Sequence, residues 1–292
     1  FGHSHCEYQT RQRFAQLRTL LPVASAGVHV VKGEFDRWAP LLGTEASQRY
    51  LIVFQNPSEL RPTGGFIGTY AVVAFDRGRL KDLTVNGIFD PDGQLSVKVV
   101  PPHPVKRVST AWSTHDANWF FDYPASAKKI AWFFGKTGEP SVDGVIAVTP
   151  AVLVRLLEVV GPIEMPAYGE TVSAENFVEV AQREVELEYD RTLNRPKQFL
   201  ADLVPQVIER VQALDRAGLA QVAGAVTESL AQKDILIFLT DPTLQADIAR
   251  RGFAGSVAET VGDYLAVVHT NLNGYKSDYV TDDELTHEAV IE

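Results

Sequence analysis

Apolar and polar positions follow one another along this 292-residue chain in short blocks, and one block sets the frame for the rest. Arg49 to Tyr70 reads RYLIVFQNPSELRPTGGFIGTY. Tyr50–Phe54 is a continuous apolar run, as expected of a central strand covered on both faces. It stops at Gln55-Asn56, and a polar loop carries Ser58, Glu59, Arg61 and Thr63 to Gly64-Gly65 before a second β-rich run opens at Phe66. The loop at the carboxyl end of such a strand is where open α/β sheets place ligands. Tandem glycines let the backbone take positive φ or let another group approach it closely. The competing reading is a hairpin loop whose polar residues satisfy the turn.

The remaining periodicities predict alternating elements. Helices are expected over Tyr8–Leu21 and Glu34–Leu42, with strands at Ile67–Phe75 and Leu80–Val85 forming a meander. Asp90-Pro91-Asp92-Gly93 is a turn, and Leu95–Val100 resumes β character. Pro101–Tyr123 is irregular, with Trp112, Trp119, Phe120 and Phe121 set among His103, Lys106, Arg107, His115 and Asp116. A loop of that length is functional or pinned down by its aromatics. A helix follows over Pro124–Phe134, then a strand over Val142–Val148. Thr149-Pro150 places a cap and a first-turn proline before a helix at Ala151–Val159. Ile163–Met165 is a short strand, and strand–helix–strand order from Val142 suggests a crossover unit. Ser173 is placed to cap a helix running to about Tyr189. Helices at Phe199–Leu214 and Leu219–Leu230, a strand at Ile235–Leu239, a helix at Thr243–Arg250 and a buried strand at Tyr264–Val268 complete the series. The domain expectation is a helical lead over 1–45, an α/β core over 46–262, and the start of a truncated segment over 263–292.

Composition narrows the function classes. Hydrophobic content of 45% with 22% charged residues suits a globular domain with a sizeable core. A net charge of −10 argues against a nucleic-acid binder. Cys6 is the single cysteine, so neither an internal disulfide nor a cysteine metal site can form. No apolar run is long enough to cross a bilayer. The chain starts at Phe1 rather than Met and reads as an excerpt, which leaves an upstream signal or anchor open.

Standard motifs are absent: no phosphate loop, dinucleotide fingerprint, nucleophile elbow or zincin helix. Asp116, Asn118 and Asp122 offer oxygen ligands for Mg²⁺, or serve as turn and cap residues. Arg191 and Arg195 have i,i+4 spacing with Lys197 nearby. They suit either phosphate oxygens or a solvated patch paired to Glu188 and Asp190.

The stretches FQNPSELRPTGGFIGTY, DANWFFDYPASA, VDGVIAVTPAVLVRLLEVVGPIEM, SAEN and TNLNGYKSDY together resemble a bacterial family known as domain-of-unknown-function family 4012. The resemblance runs from about Arg49 to about Tyr279. It implies an extracytoplasmic, cell-envelope protein, membrane-tethered through an upstream helix. The order of elements is more distantly similar to the LytR-CpsA-Psr phosphotransferases, which move glycopolymers from a polyprenyl-pyrophosphate carrier to the cell wall. That resemblance implies an α/β fold of three layers, a mixed central sheet covered by helices on both faces. It also implies a polyprenyl-phosphate-linked glycan or other anionic envelope ligand, with Mg²⁺ as cofactor if the protein is an enzyme. Carried onto this chain, ligand binding falls to Gln55, Asn56, Arg61, Thr63, Gly64, Gly65, Arg107, Asn118, Arg191, Arg195 and Gln198. Glu59 and Asp116 would take the catalytic positions, with Asn56 and Asp116 on the metal. Asn56 and Thr63 stand where that family has aspartates. The alternative is therefore a non-catalytic binding or scaffold module that keeps the fold without the chemistry. Neither reading involves nucleic acid.

Overall fold

The computed structural model describes residues 33, 36–186, 198–273 and 275–288. These fall into two compact units. The smaller takes in the described residues up to Gln48 together with Phe75–Lys81, and its one 3-10 turn is Ala39–Leu42. The larger takes in Arg49–Ala74 and the chain from Asp82 onward. The expected helix at Tyr8–Leu21 lies outside the described residues. The described residues from 263 onward fall within the larger unit.

The central sheet has five strands: β1 (Gln48–Asn56), β2 (Phe66–Asp76), β3 (Arg79–Gly87), β4 (Gly144–Val148) and β7 (Ile235–Leu239), in the order β3-β2-β1-β4-β7. A two-stranded sheet joins β5 (Ile163–Met165) to β6 (Glu170–Val172), antiparallel. The apolar run read first in the sequence is thus the middle strand. It pairs parallel to β4, with Leu51 opposite Val145 and Val53 opposite Ala147. β7 closes the far edge antiparallel to β4, so the sheet is mixed. The expected crossover from Val142 is not formed: β5 joins the small sheet, and the parallel partner of β4 is β1.

Helices cover both faces. On one face lies α1 (Tyr123–Gly135), started by Asp122, whose side chain accepts from Ala125 N–H. Its buried stripe of Ala127, Ile130, Phe133 and Phe134 packs with Leu51, Val53, Ile67, Val145, Ala147, Leu236 and Phe238 into the main core. On the other face are α2 (Pro150–Val160), α3 (Phe177–Glu186), α4 (Gln198–Gln212) and α5 (Arg216–Ala231), which pack on one another. α6 (Pro242–Arg250) follows β7, and Asp241 caps it by accepting from Thr243 and Leu244 N–H. The fold is therefore the expected mixed α/β sheet layered between helices.

Two expected strands do not form. Leu95–Val100 contributes only an isolated bridge from Val99 to Trp112. Tyr264–Val268 is extended and unpaired, with Tyr264, Leu265, Val267 and Val268 all exposed. An apolar run favours a strand only where a neighbour supplies the ladder hydrogen bonds, and neither run meets one. Among the described residues no helix is long and apolar enough to cross a membrane.

Candidate functional site

The two faces of β1 are covered unequally. Leu51, Val53 and Gln55 are buried toward α1, whereas Ile52, Phe54 and Asn56 on the opposite face are only half-buried. Ile146 and Ile237 on the neighbouring strands are half-buried too. Phe54 and Asn56 border a cavity of about 1030 Å³ between this face and α2–α3. That is at the upper end of small-molecule sites, which run from roughly 300 to 1,000 Å³. Its apolar wall is Phe54, Phe66, Phe89, Leu153, Val154, Phe177, Val178, Ala181 and Leu200. Polar groups gather at two ends. At one are Gln55, Asn56, Ser58 and Glu59 with Gln182, Lys276 and Tyr279; at the other are Thr149, Arg155, Glu228, Lys233 and Asp234.

The second end is internally neutralised. Arg155 Nη1 donates to Asp234 Oδ2 at 2.7 Å and to Ser229 Oγ at 3.1 Å. Thr149 Oγ1 donates to Asp234 Oδ1 at 2.7 Å, so Thr149 ties α2 to β7 rather than capping its own helix. Lys233 donates to the Gly252 carbonyl.

The loop end is built on a buried ion chain. Arg61, 6% exposed, donates through Nε to Asp116 Oδ1 and through Nη2 to Glu59 Oε1, each at 3.0 Å. Its Nη1 donates to the carbonyls of Leu60 at 3.0 Å and Asn271 at 2.6 Å, and its guanidinium lies 5.2 Å from the Phe66 ring centre. His115 continues the chain: Nε2 stands 3.2 Å from Asp116 Oδ2, and Nδ1 stands 2.7 Å from Asp92 Oδ2. Burial alone would lower the His115 pKa, but hydrogen bonds and charge from Asp116 and Asp92 raise it to about 9. Burial likewise opposes ionisation of the two carboxyls. Hydrogen bonds and charge from His115, together with those of Arg61 at Asp116 and the hydrogen bonds of Thr114 at Asp92, jointly outweigh it and hold each below the ordinary aspartate value. At neutral pH His115 is therefore protonated between two ionised aspartates.

The diglycine works as the sequence suggested. Gly64 has φ 130°, and a Cβ on Gly65 would come within 2.3 Å of the Asn56 carbonyl group, so a side chain at either position would push the loop off β1. Thr63 Oγ1 accepts from Gln55 Nε2 at 2.6 Å and from Asn118 Nδ2 at 3.0 Å, and Asn118 Nδ2 also donates to Gly65 O at 2.8 Å. The buried Asn118 Oδ1 has no partner.

The structure thus divides the expected site. Gln55, Asn56, Glu59 and Gly64 line the cavity. Thr63, Gly65 and Asn118 form the hydrogen-bonded backing behind it. Arg61, expected to hold phosphate, is held by two carboxylates and two carbonyls. Asp116, expected in catalysis and on the metal, has both oxygens engaged by Arg61 and His115. Asn56 Oδ1 accepts from Ser58 N–H at 3.0 Å, an Asx turn within the loop. These donors do not fit a Mg²⁺ site as placed, and the described residues hold no cluster of three or more His, Cys, Asp or Glu positioned for a metal. Arg107 is exposed on a 3-10 turn and does not line the cavity, and Gln198 donates to Asp202 at 2.8 Å on α4. Arg191 and Arg195 lie outside the described residues. Sequence reading missed the helix wall (Leu153, Val154, Val178, Ala181), because an apolar stripe facing a cavity has the same period as one facing a core. Asp92 was read only as a turn residue.

The carboxyl-terminal stretch also reaches this end. Asp278 Oδ2 accepts from Leu60 N–H at 2.8 Å and from Asn271 Nδ2 at 2.8 Å, while Asn271 N–H donates to Leu60 O at 3.0 Å.

Fold and site together define a mixed α/β domain with a ligand-sized cavity at the carboxyl end of its middle strand. Residues 45–185 match the family described as "Protein of unknown function (DUF4012)", so the resemblance read from the sequence holds over that stretch. No curated protein matches the sequence. Solved structures with a related arrangement include protein gbs0355 from Streptococcus agalactiae (13% identity, 72% of this chain and 73% of that one, TM-score 0.41). B. subtilis TagV is similar at 11% identity over 72% and 80% of the two chains, TM-score 0.39. TagT bound to LIIa-WTA is similar at 12% identity over 81% and 89%, TM-score 0.42. Likenesses this distant carry no argument about what the present chain binds.

Proposed function

We propose that this protein is a cell-envelope binding module for an amphiphile of the polyprenyl-phosphate-linked glycan class, and that it holds its ligand without transferring it. One observation carries the reading: the cavity at the end of β1 is large, walled by four phenylalanines and by aliphatic residues of α2 and α3, and polar only at its ends. An apolar chain would lie along that wall. Gln55, Asn56, Ser58 and Gln182 would meet a polar head through neutral hydrogen bonds. Head-group charge would be met by Arg191 and Arg195, on the stretch joining two cavity-lining helices, since Arg61 is committed to Glu59 and Asp116. Binding is favoured over transfer because phosphoryl transfer also needs a group to accept or orient the acceptor proton, and Asp116, expected in that role, has both oxygens engaged by Arg61 and His115.

The test is titration with a short-chain polyprenyl phosphate, followed by native mass spectrometry, beside the matching alcohol and inorganic pyrophosphate. The phosphate and the alcohol should bind and pyrophosphate alone should not, with Ala181→Trp abolishing both. Equal binding by Ala181→Trp would remove the cavity from the account. Phosphate release from a polyprenyl pyrophosphate with Mg²⁺, in proportion to protein, would overturn the non-catalytic half and restore the transferase reading.

A further inference from the structure

The irregular, aromatic-rich stretch before α1 takes no part in the cavity, yet it builds a continuous surface with α1. Val99 bridges to Trp112. Trp112 meets Phe120 edge-on at 6.1 Å and Phe133 at 5.4 Å. Lys129 Nζ lies 5.3 Å from the Trp112 ring centre and 4.8 Å from that of Trp132, and Lys136 Nζ lies 5.6 Å from Trp132 on the other flank in sequence. Phe120, Phe121 and Trp132 are each about 40% exposed, and Val100 is 68% exposed.

The charge of this surface opposes that of the whole. Residues 94–138 carry Lys98, Lys106, Arg107, Lys128, Lys129 and Lys136 against only Asp116 and Asp122, in a chain of net −10. Neither acid offsets the patch. Asp116 is paired to Arg61 and His115, and Asp122 accepts from Ala125 N–H and Val257 N–H.

We infer that this cationic, aromatic face docks on an anionic phospholipid bilayer. Exposed phenylalanines without a polar tip suit the acyl boundary, Trp suits the headgroup level, and the ammonium groups of Lys129 and Lys136 beside the Trp132 ring bring positive charge to that level for lipid phosphates. A soluble anionic glycan fits less well. Sugars stack on open aromatic faces, and the Trp132 ring is approached by two ammonium groups. α1 packs on the sheet face opposite the cavity, and none of its residues lines the cavity, so the inference stands independently of what the cavity holds.

The experiment is co-sedimentation with phosphatidylcholine vesicles and with mixed phosphatidylcholine–phosphatidylglycerol vesicles over a salt series. Binding should require phosphatidylglycerol and weaken as salt screens the charges. Lys128→Glu with Lys136→Glu should lower the partition coefficient by about tenfold or more. Trp132→Ala with Phe121→Ala should lower it several-fold without changing the salt dependence. Circular dichroism melting should show both double variants folded, and Ala181→Trp should bind vesicles like the parent. Binding that ignores the anionic lipid, or survives the charge reversals, overturns the inference. So does capture by soluble polyphosphate with no vesicle binding, which would give the face to a polyanion instead.

Discussion

The central sheet has two faces made by the same five strands, and they are finished differently. Toward α1, Leu51, Val53, Val145, Ala147 and Phe238 meet Ile130, Phe133 and Phe134 with almost no exposure. Toward α2 and α3, Phe54 stays half-buried beside about 1030 Å³ of open volume, and Ile52, Ile146 and Ile237 on the same face are half-buried too. Close packing is the normal state of a protein interior. A wall of aliphatic and aromatic side chains left uncovered gives up burial worth about 25 cal/mol per Å². The first face therefore holds the fold together, and the second is the one available to a ligand.

The largest expected effect tests that contrast directly. Phe133 is fully buried in the core, and Phe133→Ala should destabilise the protein by about 3–5 kcal/mol through lost burial and a cavity that cannot collapse. Val154 already borders open volume, so Val154→Ala should cost about 1 kcal/mol or less. Urea unfolding of the two variants reads the difference. Equal losses would mean that the second face is packed as tightly as the first, and the comparison would fall.

The packed face was legible in the sequence and the open face was not, for a physical reason. Tyr50–Phe54 announces a middle strand because both of its sides are apolar, and the stripe of α1 announces a core helix. Periodicity reports which side of an element is apolar, but not how closely its neighbour approaches. Leu153, Val154, Val178 and Ala181 therefore read as ordinary core positions. The loop was legible at Gly64-Gly65, where backbone geometry dictates the residue. It was misleading at Arg61 and Asp116. A guanidinium and carboxylates in one loop are equally the signature of an anion site and of an internal ion pair, and only the fold decides which groups meet. The Asp92–His115 contact joins a one-turn helix at Phe89–Asp92 to a 3-10 turn at Thr114–Asp116, and no local pattern foretells it.

A middle-sized effect follows from that ion chain, which stiffens the loop end of the open face. His115 is raised from its usual 6.5 to about 9 in the folded protein. Its contribution is therefore fully present below about pH 6.5 and is lost as pH rises through about 9. At about 1.4 kcal/mol per pH unit, the rise from 6.5 to about 9 sets a ceiling of about 3.5 kcal/mol on that loss. Asp92 and Asp116 are depressed, so their contributions are present above the ordinary aspartate range and are lost in acid. Stability from this chain should peak between the two ranges. Urea midpoints measured at about pH 6 and about pH 9 should differ for the parent and much less for His115→Gln. An unchanged slope in the variant would mean that His115 is not the group responsible.

The smallest effect bears on how the open face is closed at its loop end. Lys276 and Tyr279 line the cavity there, and the stretch carrying them is pinned to the loop by Asp278, which accepts from Leu60 N–H and from Asn271 Nδ2. The packed face is closed mainly by side-chain interdigitation, with hydrogen bonds such as Tyr123 OH to Val145 O and Val257 N–H to Asp122 Oδ1 added to it. Asp278→Ala removes the acceptor and leaves the Leu60 N–H to water, a change of about 1 kcal/mol in the local attachment. Global unfolding should scarcely move, because the core on the other face is untouched. Amide exchange over 268–281 should accelerate about fivefold, the factor that corresponds to about 1 kcal/mol in an opening equilibrium. Ligand association should quicken with it if that stretch covers the mouth. Faster exchange with unchanged association would make the stretch a bystander beside the cavity. Unchanged exchange would mean that the contacts at Asn271, its N–H to Leu60 O and its carbonyl to Arg61, secure it without Asp278.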